Sequence, residues 1–155
     1  MSTAGEPLDL DDIDKRIIRM LQLDGRAPYS RLAPEVGLSQ AAVRNRVQRL
    51  IDRGVMQVVA VTDPSMVGFD LQAMVGVSVD GDVVEVASAL AELGDVDYVV
   101  ATAGRFDVIC EVVCTDTDAL HDLVNEQIRA IEGVRSTEVL TYLRLVKQTY
   151  AWGAR

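Results

Sequence analysis

The chain is poor in the residues from which most reactive sites are built. One histidine and two cysteines stand among its 155 residues, and no apolar run approaches the ~20 residues of a membrane span. His121, between Leu120 and Asp122, falls on the polar flank of a predicted helix, where solvation is its simplest role. Cys110 and Cys114 share one face of a predicted strand and read as core packing. A zinc site would need further ligands, and an intracellular thiol pair is rarely a disulfide. Asp80-Gly81-Asp82 has too few ligands for a calcium loop, and Asp116 and Asp118 precede a helix as capping residues do. No glycine-rich phosphate loop or nucleophile elbow is present. No catalytic or metal residue is therefore assigned, and no enzyme is expected. The opening MSTAGEPLDLDD is acidic and lacks an apolar signal region, so the expectation is a soluble cytoplasmic protein without a membrane partner.

Acidic charge is abundant but unevenly spread. The formal net charge is −9, yet residues 1–62 carry nine basic and eight acidic side chains while residues 63–155 carry six and sixteen. Residues 26–53 hold six arginines (Arg26, Arg31, Arg44, Arg46, Arg49, Arg53) against Glu35 and Asp52, a local net of +4. A small basic module joined to an acidic one follows. Hydrophobic residues at 49% supply material for packed cores and argue against disorder.

Hydrophobic spacing places the elements. Ile13, Ile17 and Leu21 predict a helix over 9–24, closed by Asp24-Gly25. Ser30 is the expected N-cap of a short helix, Arg31 to Val36, in which Pro34 is awkward and which Gly37 ends. Ser39 then caps a longer helix whose stripe is Val43, Val47, Leu50 and Ile51. Residues 55–62 read as a strand, and Asp63-Pro64 marks a boundary. Beyond it the pattern is strand (69–79), helix (82–93), two strands (96–103 and 106–115), helix (117–132) and strand (134–147). That order fits a ferredoxin-like βαββαβ fold with helices on one face. Phe106, Val108, Cys110, Val112 and Cys114 form one row, but Ile109 and Val113 make the opposite row apolar too. Dimerisation is the economical cover for that second face. The fold class is thus α+β: a helix-turn-helix domain (1–54, three helices, winged-helix-like), a linker strand (55–65), and a ferredoxin-like domain (66–155) whose second apolar face points to oligomerisation.

With the stripe of the third helix turned inward, Gln40, Ala41, Arg44, Asn45, Gln48 and Arg49 lie on its exposed arc, with Arg46 and Arg53 on the flanks. Small and polar residues at a helix start, followed by arginines, suit a DNA major groove, where Arg reads guanine and Asn or Gln reads adenine. Ala33, Gly37 and Val43 match a helix-turn-helix: close approach, turn and lock. A solvated basic helix in a small bundle is the plainer alternative.

The run DDIDKRIIRMLQLDGRAPYSRLAPEVGLSQAAVRNRVQRLIDRGVM resembles the N-terminal module of the Lrp/AsnC family, the leucine- and asparagine-responsive regulators of bacteria and archaea. Its markers are Asp-x-x-Asp before the first helix, Leu-Gln-x-Asp-Gly-Arg after it, and Gly-Leu-Ser followed by Arg-Val-x-Arg-Leu. The likeness continues through Asp63-Pro64 and the βαββαβ half. It implies a transcriptional regulator that binds duplex DNA with paired half-sites. DNA contact would come from Ser30, Ser39, Gln40, Ala41, Arg44, Asn45, Arg46, Gln48 and Arg49. It further implies a homodimer able to assemble into tetramers or octamers, and an amino acid-like effector bound between subunits with no other cofactor. Where the family often has Gly-Tyr in the linker, this chain has Gln57-Val58.

ATAGRFDV (101–108) resembles the family's effector loop. Gly104 lets backbone N–H groups approach a carboxylate, Asp107 can accept from an α-ammonium, and Arg105 can instead engage a carboxylate. Thr102 and Phe106 of the loop and Thr137, Leu140 and Thr141 of the last strand complete the effector set. An ordinary hairpin turn with Asp107 facing water is the alternative reading. Two rivals stand against the regulator as a whole. One is a small-molecule-binding or enzymatic ferredoxin-like domain with a protein- or RNA-contacting basic bundle, and the other is a purely structural oligomer.

Overall fold

A computed structural model of the chain describes residues 9–149. They divide into two compact units, one running to Val61 and joined by residues 147–149, the other spanning Thr62–Val146. In the first unit lie α1 (Asp12–Leu23), α2 (Tyr29–Val36) and α3 (Gln40–Asp52). The Asp11 carboxylate caps α1 by accepting the Asp14 N–H at 2.7 Å, and the acidic first turn suits the helix dipole. Apolar residues at helical spacing on all three helices meet in one core of Ile17, Leu21, Leu32, Ala33, Val36, Val43 and Val47. Each aliphatic side chain so buried stabilises the bundle by roughly 1.5–3 kcal/mol, which is how three short helices hold one another.

The expected cap of α2 is displaced. The N-cap is Pro28, with no side-chain bond, and Ser30 lies inside the first turn. A proline has no N–H of its own to satisfy and its fixed φ suits a helix entry, so the helix starts earlier than the serine suggested. Pro34 is accommodated inside α2. Gly37 follows in the left-handed region at φ 68°, and this turn delivers the chain to α3. There Ser39 caps as predicted, its Oγ accepting the Ala42 N–H at 3.2 Å.

Residues 55–62, expected as a strand, form none among the described residues. A strand needs a neighbour to take its N–H and C=O groups, and the chain's own sheet does not include this stretch. Val58, Val59 and Val61 remain more than half exposed.

The second unit opens with a single 3-10 turn, Pro64–Val67, and continues as β1 (Leu71–Val79), α4 (Val83–Ala91), β2 (Val96–Ala101), β3 (Val108–Cys114), α5 (Thr117–Asp122) and β4 (Val134–Thr141). All neighbours pair antiparallel in the order β2-β3-β1-β4, the ferredoxin-like arrangement. Alternation decides the faces. Ala73, Val75 and Val77 of β1 and Val108, Cys110, Val112 and Cys114 of β3 pack with Val86 and Leu90 of α4 and with Leu123, Val124 and Ile128. Both cysteines are free and buried, and burial pushes the Cys110 thiol up to about 11. Asp82 and Asp116 cap α4 and α5 through N–H groups of Val84 and Ala119.

The helix expected over 117–132 changes character: α5 passes into a π-helical turn at Leu123–Ile128, where the Arg129 N–H reaches the Val124 C=O at 3.0 Å. Leu123, Val124 and Ile128 all lie in the core, as their helical spacing predicts together with Leu120 and Ile131. The last strand stops at Thr141 rather than 147, because β1 offers it no partner beyond the bond from the Tyr142 N–H to the Gln72 C=O. Phe106 lies off β3, and its ring covers Gly76 on the face opposite Val108 and Cys110.

Candidate functional site

The register of α3 sorts its side chains. Val43, Val47 and Leu50 are buried, which at about 100° per residue turns Ala41, Arg44, Asn45 and Gln48 outward. Gln40, Ala41, Arg44, Asn45, Gln48 and Arg49 are all exposed, as are Ser30 and Ser39. Arg44 has no ion pair among the described residues; its guanidinium lies 5.9 Å from the centre of the Tyr29 ring, a contact that steadies it without neutralising it. The Asn45 side chain makes no hydrogen bond among the described residues. Gln48 donates to Asp52 at 2.7 Å, within its own helix.

Arg46 and Arg49 are placed differently. Asp14 of α1 is 1% exposed, and each of its carboxylate oxygens takes one guanidinium: Arg46 Nη1 at 2.8 Å and Arg49 Nη2 at 2.6 Å. Arg46 Nη1 also donates to Asp11 at 2.7 Å. The hydrogen bonds to Asp14 and then Asp11 raise the Arg46 pKa further. The Asp14 N–H, followed by Arg46, holds the Asp11 carboxyl below its ordinary range. Asp24 is lowered in the same way, first by the Arg26 N–H and then by Arg31 at 2.8 Å. The Asp-x-x-Asp marker thus carries a function that sequence reasoning left unassigned: Asp14 is the buried anion between α1 and α3.

In the second unit, the 101–108 segment joins β2 to β3. Asp107 is tied to β1 twice, donating its N–H to the Val77 C=O at 3.0 Å and accepting the Val79 N–H on Oδ2 at 2.8 Å. Its carboxylate is therefore partly engaged by the backbone rather than facing water. Thr102 closes the loop, its N–H donating to the Asp107 C=O and its hydroxyl to the Phe106 C=O. Arg105 crosses the sheet to pair with Glu138 of β4 at 2.5 Å and lies over the Phe106 ring. Gly104 is exposed, lacks a positive φ, and a Cβ there would meet open space, so nothing in its own chain requires glycine.

The expected β4 contributors are split between faces. Leu140 pairs with Met74 and shares the Gly76 face, whereas Thr137 and Thr141 pair with Val77 and Ala73 on the helix side. Thr137 accepts from Arg129 Nε at 2.9 Å. The residues brought together are Arg105, Phe106 and Glu138, and the last of these had no signal beyond its place in an alternating strand. On the same face, burial and a hydrogen bond with Glu111 push the Tyr142 phenol up to about 12. The described residues hold no group of His, Cys, Asp and Glu able to bind a metal ion, and none of their helices is long and apolar enough to cross a membrane. A separate cavity of about 730 Å3 in the first unit is lined by Ile18, Leu21 and residues 54–59; no residue of the 101–108 segment borders it.

Comparison with known proteins decides the family. The AsnC-type helix-turn-helix domain matches residues 10–51, and the C-terminal dimeric alpha+beta barrel domain of the AsnC_trans_reg_3 family matches residues 69–155. An HTH-type transcriptional regulator of Pyrococcus furiosus is 34% identical over 92% of this chain and 97% of its own. The chain belongs to the Lrp/AsnC family. Solved Lrp/AsnC structures share its fold. The leucine response regulatory protein LrpA of Mycobacterium tuberculosis, 34% identical, superposes with a TM-score of 0.80 over 90% of this chain and 96% of that one. A Neisseria meningitidis regulator solved as its L-Met complex, 28% identical, gives 0.82 over 91% and 94%. As an Lrp/AsnC protein, the chain is a DNA-binding transcriptional regulator rather than an enzyme, and its dimeric type of C-terminal domain makes it a homo-oligomer.

Proposed function

We propose that α3 enters the DNA major groove with Gln40, Ala41, Arg44, Asn45 and Gln48 toward the bases, while the 102–107 loop and β4 receive an amino acid-like effector. The observation that carries the first half is the sorting of α3: Arg44 and Asn45 stand exposed and without ionic partners while its inner stripe is fully packed. Ser30 and Ser39, at the starts of α2 and α3, are placed to meet phosphate. The effector half is supported by the exposed Gly104, by the Arg105–Glu138 pair, and by the L-Met bound to the Neisseria relative. A ligand carboxylate would compete with Glu138 for Arg105.

The apolar open face, with Tyr98 54% and Leu140 46% exposed, suits a second copy, and the unpaired 55–62 stretch suits the same stretch of that copy. Dimers so formed would read paired half-sites, assemble into tetramers or octamers, and shift arrangement when effector binds. Cytoplasm is the compartment for such work. Fluorescence anisotropy with duplex from upstream of the gene, against a shuffled duplex, tests the reading. Arg44→Ala with Gln48→Ala is expected to lower the preference for the native duplex by about 1–3 kcal/mol per lost base contact in a correctly folded protein. An unchanged preference refutes the α3 assignment. Adding single amino acids to the same assay identifies the effector, and no response to any of them counts against the loop assignment.

A further inference from the structure

Asp14 is unusual in being a carboxylate 1% exposed whose two oxygens are taken by two different arginines of another helix. We propose that Asp14 is a specificity-determining positioning residue: it fixes the rotation of α3 about its own axis and holds Arg46 and Arg49 back from phosphate. The inference rests on the reading of α3 as the DNA-contacting helix.

A single ion pair would let α3 swivel about one point. Arg46 and Arg49 lie three residues apart, on adjoining turns of one face, and both end on the same buried carboxylate, so the two bonds together oppose rotation. Asp11 adds a third bond to Arg46 from the cap of α1, coupling the start of one helix to the middle of the other. A buried ion pair is a poor device for stability alone, since apolar residues of similar volume often do as well. Orientation is what an apolar contact would not supply, and one residue's worth of rotation is about 100°. A fraction of that moves Arg44 and Asn45 off any base edge. The charge consequence is equally direct. Arg46 and Arg49 are the two arginines of α3 with carboxylate partners, at side-chain exposures of 26% and 50%, so they add little to phosphate attraction while paired.

The test uses the full chain with native and shuffled duplexes across a salt series, in four forms: wild type, Asp14→Asn, Arg46→Gln with Arg49→Gln, and Arg44→Gln. Asp14→Asn is expected to bind the shuffled duplex more tightly, with a log K against log salt slope steeper by about 1–2, because each freed arginine that meets phosphate adds about 0.9. Its native-to-shuffled preference should fall about tenfold or more. The double glutamine variant should keep the wild-type slope, since its arginines were not on phosphate. A slope that falls by 1–2 in the double variant overturns the proposal, as does an unchanged slope and preference in folded Asp14→Asn. If circular dichroism shows Asp14→Asn unfolded, the double variant alone decides. Failure of the underlying reading looks different: wild type and Arg44→Gln would then bind both duplexes alike.

Discussion

One missing methyl group decides how the loop after β2 lies on the sheet. A Cβ built on Gly76 would sit 2.5–2.6 Å from three atoms of the Phe106 ring, including the atom that roots the ring to its chain. The ring cannot swing clear without the loop moving, so Gly76→Ala is expected to destabilise the second unit by about 1–3 kcal/mol, the usual range for overpacking. Urea unfolding followed by far-UV circular dichroism checks this, and a midpoint equal to wild type would show that the loop yields freely. The residue scale is also where sequence reading was weakest. Spacing by twos put Phe106 in the row of Val108 and Cys110, but the ladder ends at Asp107, whose N–H makes the last bond to Val77, and one residue outside a ladder no longer obeys its alternation. Asp14 was visible as a marker and silent as to partner, because a partner 32 residues away along the chain leaves no local trace.

At the scale of elements, the helices and strands were legible because each buries one stripe or one face, and that demand writes a period into the sequence. What local pattern does not write is where a neighbour runs out. Residues 55–62 have the composition of a strand and β4 was expected to run to 147, yet both stretches stop where the single chain offers no partner. Caps give a cleaner test of the same point. Ser39→Ala removes the acceptor of the Ala42 N–H and is expected to cost about 1 kcal/mol in thermal or urea unfolding. Ser30→Ala, at a serine with no capping bond, should cost less than about 0.5 kcal/mol. Equal losses would show that the serine at the head of α2 caps after all.

For the whole molecule, the division of charge pointed to DNA from the sequence alone, but it could not say which arginines were free to act, since pairing is a property of the fold. The pairing has a pH signature. Asp11 and Asp24 both ionise more readily in the folded chain than at the ordinary value of 3.8. Carboxylates lowered in this way contribute stability that is fully present above their unfolded value and is lost as pH falls through the lowered one. The helical signal of the first unit should therefore hold from neutral pH to about 4 and decline below it. Asp11→Asn, which no longer titrates, should be less stable at neutral pH and lose less on acidification. A chain whose stability is flat down to pH 2 would deny these carboxylates their part.

The seating of Phe106 on Gly76 also sets a direction for descent. A line of descendants gains a side chain at position 76 at lower cost after position 106 has given up its ring, because shrinking at 106 first removes the clash and leaves only an uncovered patch of sheet. Substitutions at these two positions, thirty apart in the sequence, should accumulate in that order more often than in the other.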